Sequence, residues 1–266
     1  MATHYISTVT VSIVVLLASL IITVVTTKET ISLDVHLLEF SLNLEYLEAE
    51  FFLFGAFGNG LNGIAPELTD GGSPPIVAKV AKLRDNVTGE IIAQFGLQEV
   101  GHLRAIKSTV KRFSRLLLDL SKSSFAKLMD KAFGRPPHPP FDPYANDINF
   151  LLASYLIPYV RLTGYVGVNP LLQNPTSRQL VAGLLGVESG QDAVIRTLLY
   201  ERRALKVKPY GQATSLLVRD EFSLSFPRTP EEILRIIYGS GHESVPGGFY
   251  PKGGNGLIAR LYLHTT

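Results

Sequence analysis

Glu99-Val-Gly-His102 is the stretch that decides the fold of this chain. A carboxylate and an imidazole three residues apart project from one face of a helix, which makes the pair half of a two-cation ligand set. Two further acidic motifs give it company: Asn43-Leu-Glu45-Tyr-Leu47 upstream and Val187-Glu188-Ser-Gly-Gln191 downstream, each inside its own long apolar-periodic segment. The spacing predicts that three acids and a histidine meet inside a bundle of helices.

Working outward, periodicity predicts a first helix over about 33–57, stopped by Gly58-Asn-Gly60, and a second from near Thr88 to about Lys111. In the second, Ile91, Ile92, Phe95, Glu99, His102 and Leu103 form one stripe, and Gly96 and Gly101 would allow close approach of a neighbour. Residues 124–133 read as a short helix ended by Gly134, and Arg135-Pro-Pro-His-Pro-Pro140 as a stiff connector. A third long helix spans about 146–168. A fourth opens after the Asn174-Pro-Thr-Ser177 cap. Four such helices bury their apolar stripes as an all-α four-helix bundle. Beyond it, Thr229-Pro-Glu-Glu232 starts one short helix of an otherwise irregular, glycine-rich arm, expected to lie across the bundle on Phe249, Tyr250, Leu257 and Leu261. Three regions result: 1–27 as leader, 28–207 as bundle and 208–266 as extension.

Composition narrows the function classes. A net charge of +2 with scattered basic residues argues against a nucleic-acid partner, and 46% hydrophobic residues suffice for a buried core. With no cysteine, disulfides, thiolate ligands and cysteine nucleophiles are excluded, so any metal must take oxygen and nitrogen ligands. No phosphate-cradling glycine loop and no Gly-x-Ser-x-Gly elbow occurs. The apolar run from Val9 to Val25 suits a signal-peptide core or an uncleaved anchor, the latter being the one route to a membrane; the secretory reading is preferred, with the apoplast or vacuole as destination. Asn86-Val-Thr88 is a glycosylation sequon usable in that pathway, or else a pair of helix-start residues.

The order of motifs resembles the ferritin-like family, in which a glutamate on the first helix precedes a Glu-x-x-His on the second and the pattern returns on the third and fourth. Longer runs, Leu42–Phe51, Gln98–Arg104, Gly183–Gln191 and Thr229–Tyr238, resemble the plant desiccation-related proteins of that class. The resemblance implies an antiparallel ferritin-like bundle and a ligand set of Glu45, Glu99, His102, Glu188 and Gln191, for iron, manganese or zinc if any metal is held. Two departures weaken the set: Pro158 stands where the third helix should offer a carboxylate, and Gln191 where histidine is usual. The stretch between Tyr210 and Phe226 also looks shortened.

Three converging carboxylates in an apolar bundle must be neutralised. One route is a metal ion or an unequal pair; the second is protons, leaving an acid beside a base; in the third, tyrosines, His102 and Arg161 tie up the acids and specify packing. Taken alone, Arg161 on a long helix is expected in solvent. Glu48 can share part of the Glu45 face, and Glu50 is expected in solvent. Tyr155, Tyr159 and Tyr165 either line a pocket as proton carriers or belong to the core. His138 and His242 stay unassigned. The resulting expectation is a desiccation-related ferritin-like protein whose degenerate site binds metal weakly or not at all. The alternative is an enzyme that uses the bundle cavity for acid–base or oxidative chemistry on a small plant metabolite, with Glu45, Glu99, His102, Glu188, Tyr155 and Tyr159 as candidate catalytic groups.

Overall fold

A computed structural model describes residues 32–204, 222 and 224–263; the leader expected over 1–27 and most of the stretch between Tyr210 and Phe226 lie outside the described residues. Eight α-helices occur among them: α1 Leu33–Phe57, α2 Leu61–Ile64, α3 Asn86–Thr109, α4 Lys122–Phe133, α5 Asp147–Val168, α6 Pro175–Ala204, α7 Pro230–Ile237 and α8 Gly256–Leu263. The long helices pack as two pairs, α1 with α3 and α5 with α6, joined through α1–α5 and α3–α6 contacts. The connection between α3 and α5 carries α4, the single long crossover that sets a ferritin-like bundle apart from a simple up-and-down one.

Local chemistry sets the helix ends. The Asp85 carboxylate accepts from Thr88 N at 3.1 Å and opens α3, and Asn146 accepts from Asn149 N at 2.9 Å to open α5. Gly134, at φ 69°, closes α4 in the left-handed conformation that favours glycine. Thr229 and Glu232 complete a reciprocal capping box on α7.

Helix α1 is buried nearly all round, acids included. Two glycines let its neighbours come close. A methyl group on Gly55 would lie 2.2 Å from the Phe150 ring of α5, and one on Gly96 would lie 2.8 Å from Leu53. Gly101, by contrast, faces open space and serves no close approach. Aromatic rings tie the layers together: Phe51 stacks on Phe150 at 4.5 Å and meets Phe125 of α4 at 5.1 Å, which in turn meets Phe249 of the arm at 4.7 Å.

The arm lies on the bundle, as its aromatics suggest, but with two short helices rather than one. Phe249 and Tyr250 are buried, and Asn43 of α1 exchanges two hydrogen bonds with the Asn255 backbone at 3.0 and 2.7 Å. Leu257 and Leu261 are not anchors, being 47% and 58% exposed. The inward position of α8 is taken by Ala259, whose small side chain lets that helix approach α1 closely.

A buried carboxylate cluster around Arg161 as the candidate functional site

Four helices supply the cluster. Helix α1 gives Glu45 and Glu48, one turn apart on one face; α3 gives Glu99 and His102; α5 gives Arg161 and Tyr165; α6 gives Glu188 and Gln191. The four glutamates and Arg161 are no more than 1% exposed, and His102 is the least enclosed member at 9%. Glu45, Glu99 and His102 bring ligand atoms within 4.8 Å of one another, and so do Glu48, Glu99 and Glu188. These are two three-ligand sets sharing Glu99, and their chemistry could hold a metal ion.

A guanidinium occupies the space between them. Arg161 Nη1 lies 2.6 Å from Glu99 Oε2 and 2.7 Å from Glu48 Oε2. Its Nη2 lies 3.1 Å from Glu45 Oε2, 2.8 Å from His102 Nδ1, and pairs with Glu188 Oε1. The arginine expected in solvent is therefore the centre of the site. Where the family resemblance put Pro158 at the third-helix ligand position, the side chain that reaches the cluster from α5 is Arg161, three residues on, and it brings a cation instead of a carboxylate. With the guanidinium in place every carboxylate of the set faces a positive charge at ion-pair distance.

The electrostatics follow from burial and this one cation. Four carboxylates against one guanidinium and one imidazolium leave an excess of two negative charges in a buried site. Burial pushes Glu48 and Glu188 well above the ordinary carboxylate range, outweighing the attraction of Arg161, and their neighbouring glutamates push the same way. Burial opposes ionisation of Glu99 too, but Arg161, His102 and Gln191 overcome it and hold that carboxyl at about 2. Burial alone would lower His102; hydrogen bonds and charge from Glu45 and Glu99 instead raise it to about 10. Its Nδ1 lies within 3.6 Å of three carboxylates, whose summed negative charge favours the imidazolium. Arg161 stays protonated, since the four glutamates outweigh its desolvation.

The remaining predicted residues divide. Gln191 Nε2 donates to Glu99 Oε1 at 2.7 Å and to Gln98 Oε1 at 3.0 Å, so its amide orients the shared glutamate. The Tyr165 hydroxyl donates to Glu45 Oε1. Tyr155 and Tyr159 stack on each other at 6.1 Å and lie under arginines, Arg196 4.3 Å from the Tyr155 ring and Arg228 5.1 Å from the Tyr159 ring. They make none of the cluster's hydrogen bonds. Glu50 is not in solvent but fully buried, paired with Arg115, which also donates to Asn62 Oδ1, Gly72 O and Ser73 O and so clasps the loop after α2. Beside Arg161 and Tyr165 lies a cavity of about 10 Å³, room for one water molecule.

The signal for Arg161 was present in the sequence: from Asn149 to Val168 it is the only charged residue in an apolar helix. Glu48 carried a weaker one, its i+3 spacing from Glu45.

Residues 33–201 match the family model described as the ferritin-like domain. The chain is 48% identical over 268 residues to the ferritin-like catalase Nec2 of Nesocodon mauritianus, with 86% of each chain covered. It is 49% identical over 266 residues to the desiccation-related protein PCC13-62 of Craterostigma plantagineum, covering 86% of this chain and 85% of that one. No solved structure matches significantly. With fold, cluster and relatives in agreement, this chain belongs to the ferritin-like domain family, together with a plant desiccation-related protein.

Proposed function

We propose that this chain is a stress-associated ferritin-like protein of the secretory pathway whose carboxylate–histidine cluster is balanced from within and binds metal weakly or not at all. The observation that carries this reading is the Arg161 guanidinium within ion-pair distance of all four glutamates of the cluster. A divalent ion entering either three-ligand set would meet a fixed positive charge at the position it needs, and would have to expel a buried arginine to coordinate. The stress association rests on the relative named for desiccation. The apolar leader supports secretion to the apoplast or vacuole.

The test is metal content by inductively coupled plasma mass spectrometry, on wild type and Glu99→Ala/His102→Ala purified without chelator. The expected result is iron, manganese and zinc far below stoichiometric in both proteins. Stoichiometric metal in wild type that disappears in the variant, together with consumption of hydrogen peroxide, would overturn the reading in favour of the activity named for the catalase relative.

A second reading is acid–base chemistry on a small plant metabolite at the same cluster. It is favoured by the Tyr165 hydroxyl seated on the Glu45 carboxylate, a donor and acceptor already aligned for proton exchange. A substrate would approach past His102, the least enclosed member of the set. A thermal-shift screen of plant metabolites against wild type and Tyr165→Phe tests it, the expected result being a ligand whose stabilisation depends on the hydroxyl.

A further inference from the structure

The geometry points to Arg161 as a built-in substitute for a metal: its guanidinium fills a latent divalent-cation site formed by Glu45, Glu48, Glu99, His102 and Glu188, and that site becomes functional when the guanidinium is removed. This deepens the reading above and rests on it. Between them the two terminal nitrogens reach every member of both three-ligand sets. Nη1 faces Glu48 and Glu99, while Nη2 faces Glu45, His102 and Glu188. Glu99 belongs to both sets, as a bridging carboxylate would.

The set also retains ligand capacity that Arg161 does not use. Glu48 Oε1 and Glu188 Oε2 are buried with neither a hydrogen bond nor an ion pair to Arg161, and Glu45 Oε2 and Glu48 Oε2 meet the guanidinium only as ion pairs, at 3.1 and 2.7 Å. A planar cation with its donors fixed in one fork cannot reach every lone pair of four carboxylates arranged around it, whereas a compact ion takes ligands from all sides. The ligands come from α1, α3 and α6, which are held in place by packing away from Arg161, including the Gly96–Leu53 contact and the Gln191–Glu99 hydrogen bond. Deleting the arginine side chain therefore leaves an oxygen-rich, single-histidine cage of the type that suits manganese, iron or zinc.

The experiment compares wild type, Arg161→Ala, Arg161→Gln and Arg161→Ala/Glu99→Ala, with manganese(II) and zinc(II) as probes in separate titrations. Binding is read by calorimetry, retained metal by mass spectrometry after desalting, and melting temperature with and without metal. The expected result is that Arg161→Ala and Arg161→Gln retain at least one equivalent, bind at least about tenfold tighter than wild type and melt higher with metal, all of which the Glu99→Ala change abolishes. If the single variants do not fold without metal, restoration of helical circular dichroism by manganese or zinc counts as the same result. Arg161 variants that bind no better than wild type, or stay unfolded with either metal, overturn this inference and leave the balanced-cluster reading intact. Stoichiometric binding by wild type overturns both.

Discussion

Arg161 of α5 and Glu99 of α3 meet at 2.6 Å in the interior of the bundle, and that pair helps hold the Glu99 carboxyl ionised. Glu99 has Arg161, His102 and Gln191 as partners and stays ionised, whereas Glu48 and Glu188 face the same cation with less hydrogen bonding and take protons. A buried charge with one partner removed is costly, typically by about 3–5 kcal/mol. In chelator-containing buffer, Arg161→Ala is expected to lose stability of that order in urea unfolding. Arg161→Lys keeps the charge, but on one nitrogen that cannot reach both ligand sets, and is expected to fall between the two. An Arg161→Ala protein as stable as wild type would show that the cation does not balance the cluster.

The pH dependence of stability follows from the same groups. Glu99, held at about 2 against an ordinary 4.5, adds stability that is present above 4.5 and lost as pH falls toward 2. His102, raised from 6.5 to about 10, adds stability that is complete below 6.5 and lost as pH rises toward 10. Raised Glu48 and Glu188 keep protons that the unfolded chain releases above 4.5, so they too make the fold less stable with rising pH. Unfolding free energy is therefore expected to decline from pH 6 to pH 9. Glu48→Gln, which cannot release a proton, should flatten that decline by up to about 1.4 kcal/mol per pH unit. Parallel curves for the two proteins between pH 5 and 9 would count against a proton on Glu48.

Glu50 and Arg115 form a second buried pair, and its two halves are unequal. Glu50 accepts from Leu61 N at 3.3 Å in addition to its arginine, whereas Arg115 holds three further oxygens, Asn62 Oδ1 of α2 and the Gly72 and Ser73 carbonyls of the loop after it. Arg115→Ala strands an acid and those oxygens and is expected to cost about 3–5 kcal/mol. Glu50→Gln keeps one acceptor oxygen, for Arg115, and gives up the Leu61 N bond, and should cost about 1–2 kcal/mol. Denaturant melts of both variants decide it, and equal losses would refute the asymmetry.

Asn86 is exposed at the first position of α3, while Asp85, not Asn86, supplies the cap. In protein secreted from plant cells a glycan is expected at Asn86, seen as a mass shift on peptide-N-glycosidase treatment and abolished by Asn86→Gln. That substitution should alter stability by less than about 0.5 kcal/mol, whereas Asp85→Ala should cost about 1 kcal/mol. Secreted protein of unmodified mass would remove the glycosylation reading.

The fold was legible because helix boundaries are written in local chemistry: Ser121, Asn146 and Thr229 start helices with their own side chains, and Gly134 and Gly239 end them with positive φ. The ligand motifs were legible because spacing on a helix converts directly into a shared face. What spacing could not reveal was enclosure. Helix α1 has no solvent stripe, so Glu50, which a two-sided helix would expose, is buried by the loop that Arg115 clasps. Arg161 was named in one of three readings as a partner of the acids and otherwise set aside by the general rule that arginines are solvated, a rule that fails where four carboxylates supply the solvation. Leu257 and Leu261 misled for the opposite reason: α8 presents Ala259 to the bundle, and larger apolar side chains beside it are left outside.

The most direct test of the central claim is a crystal structure of wild-type protein grown with added manganese and zinc, with anomalous data collected at the manganese, iron and zinc edges. The account predicts Arg161 guanidinium density between Glu48, Glu99 and Glu188 and no anomalous peak within the cluster. An anomalous peak coordinated by Glu99 and His102, with Arg161 displaced from the glutamates, would contradict it.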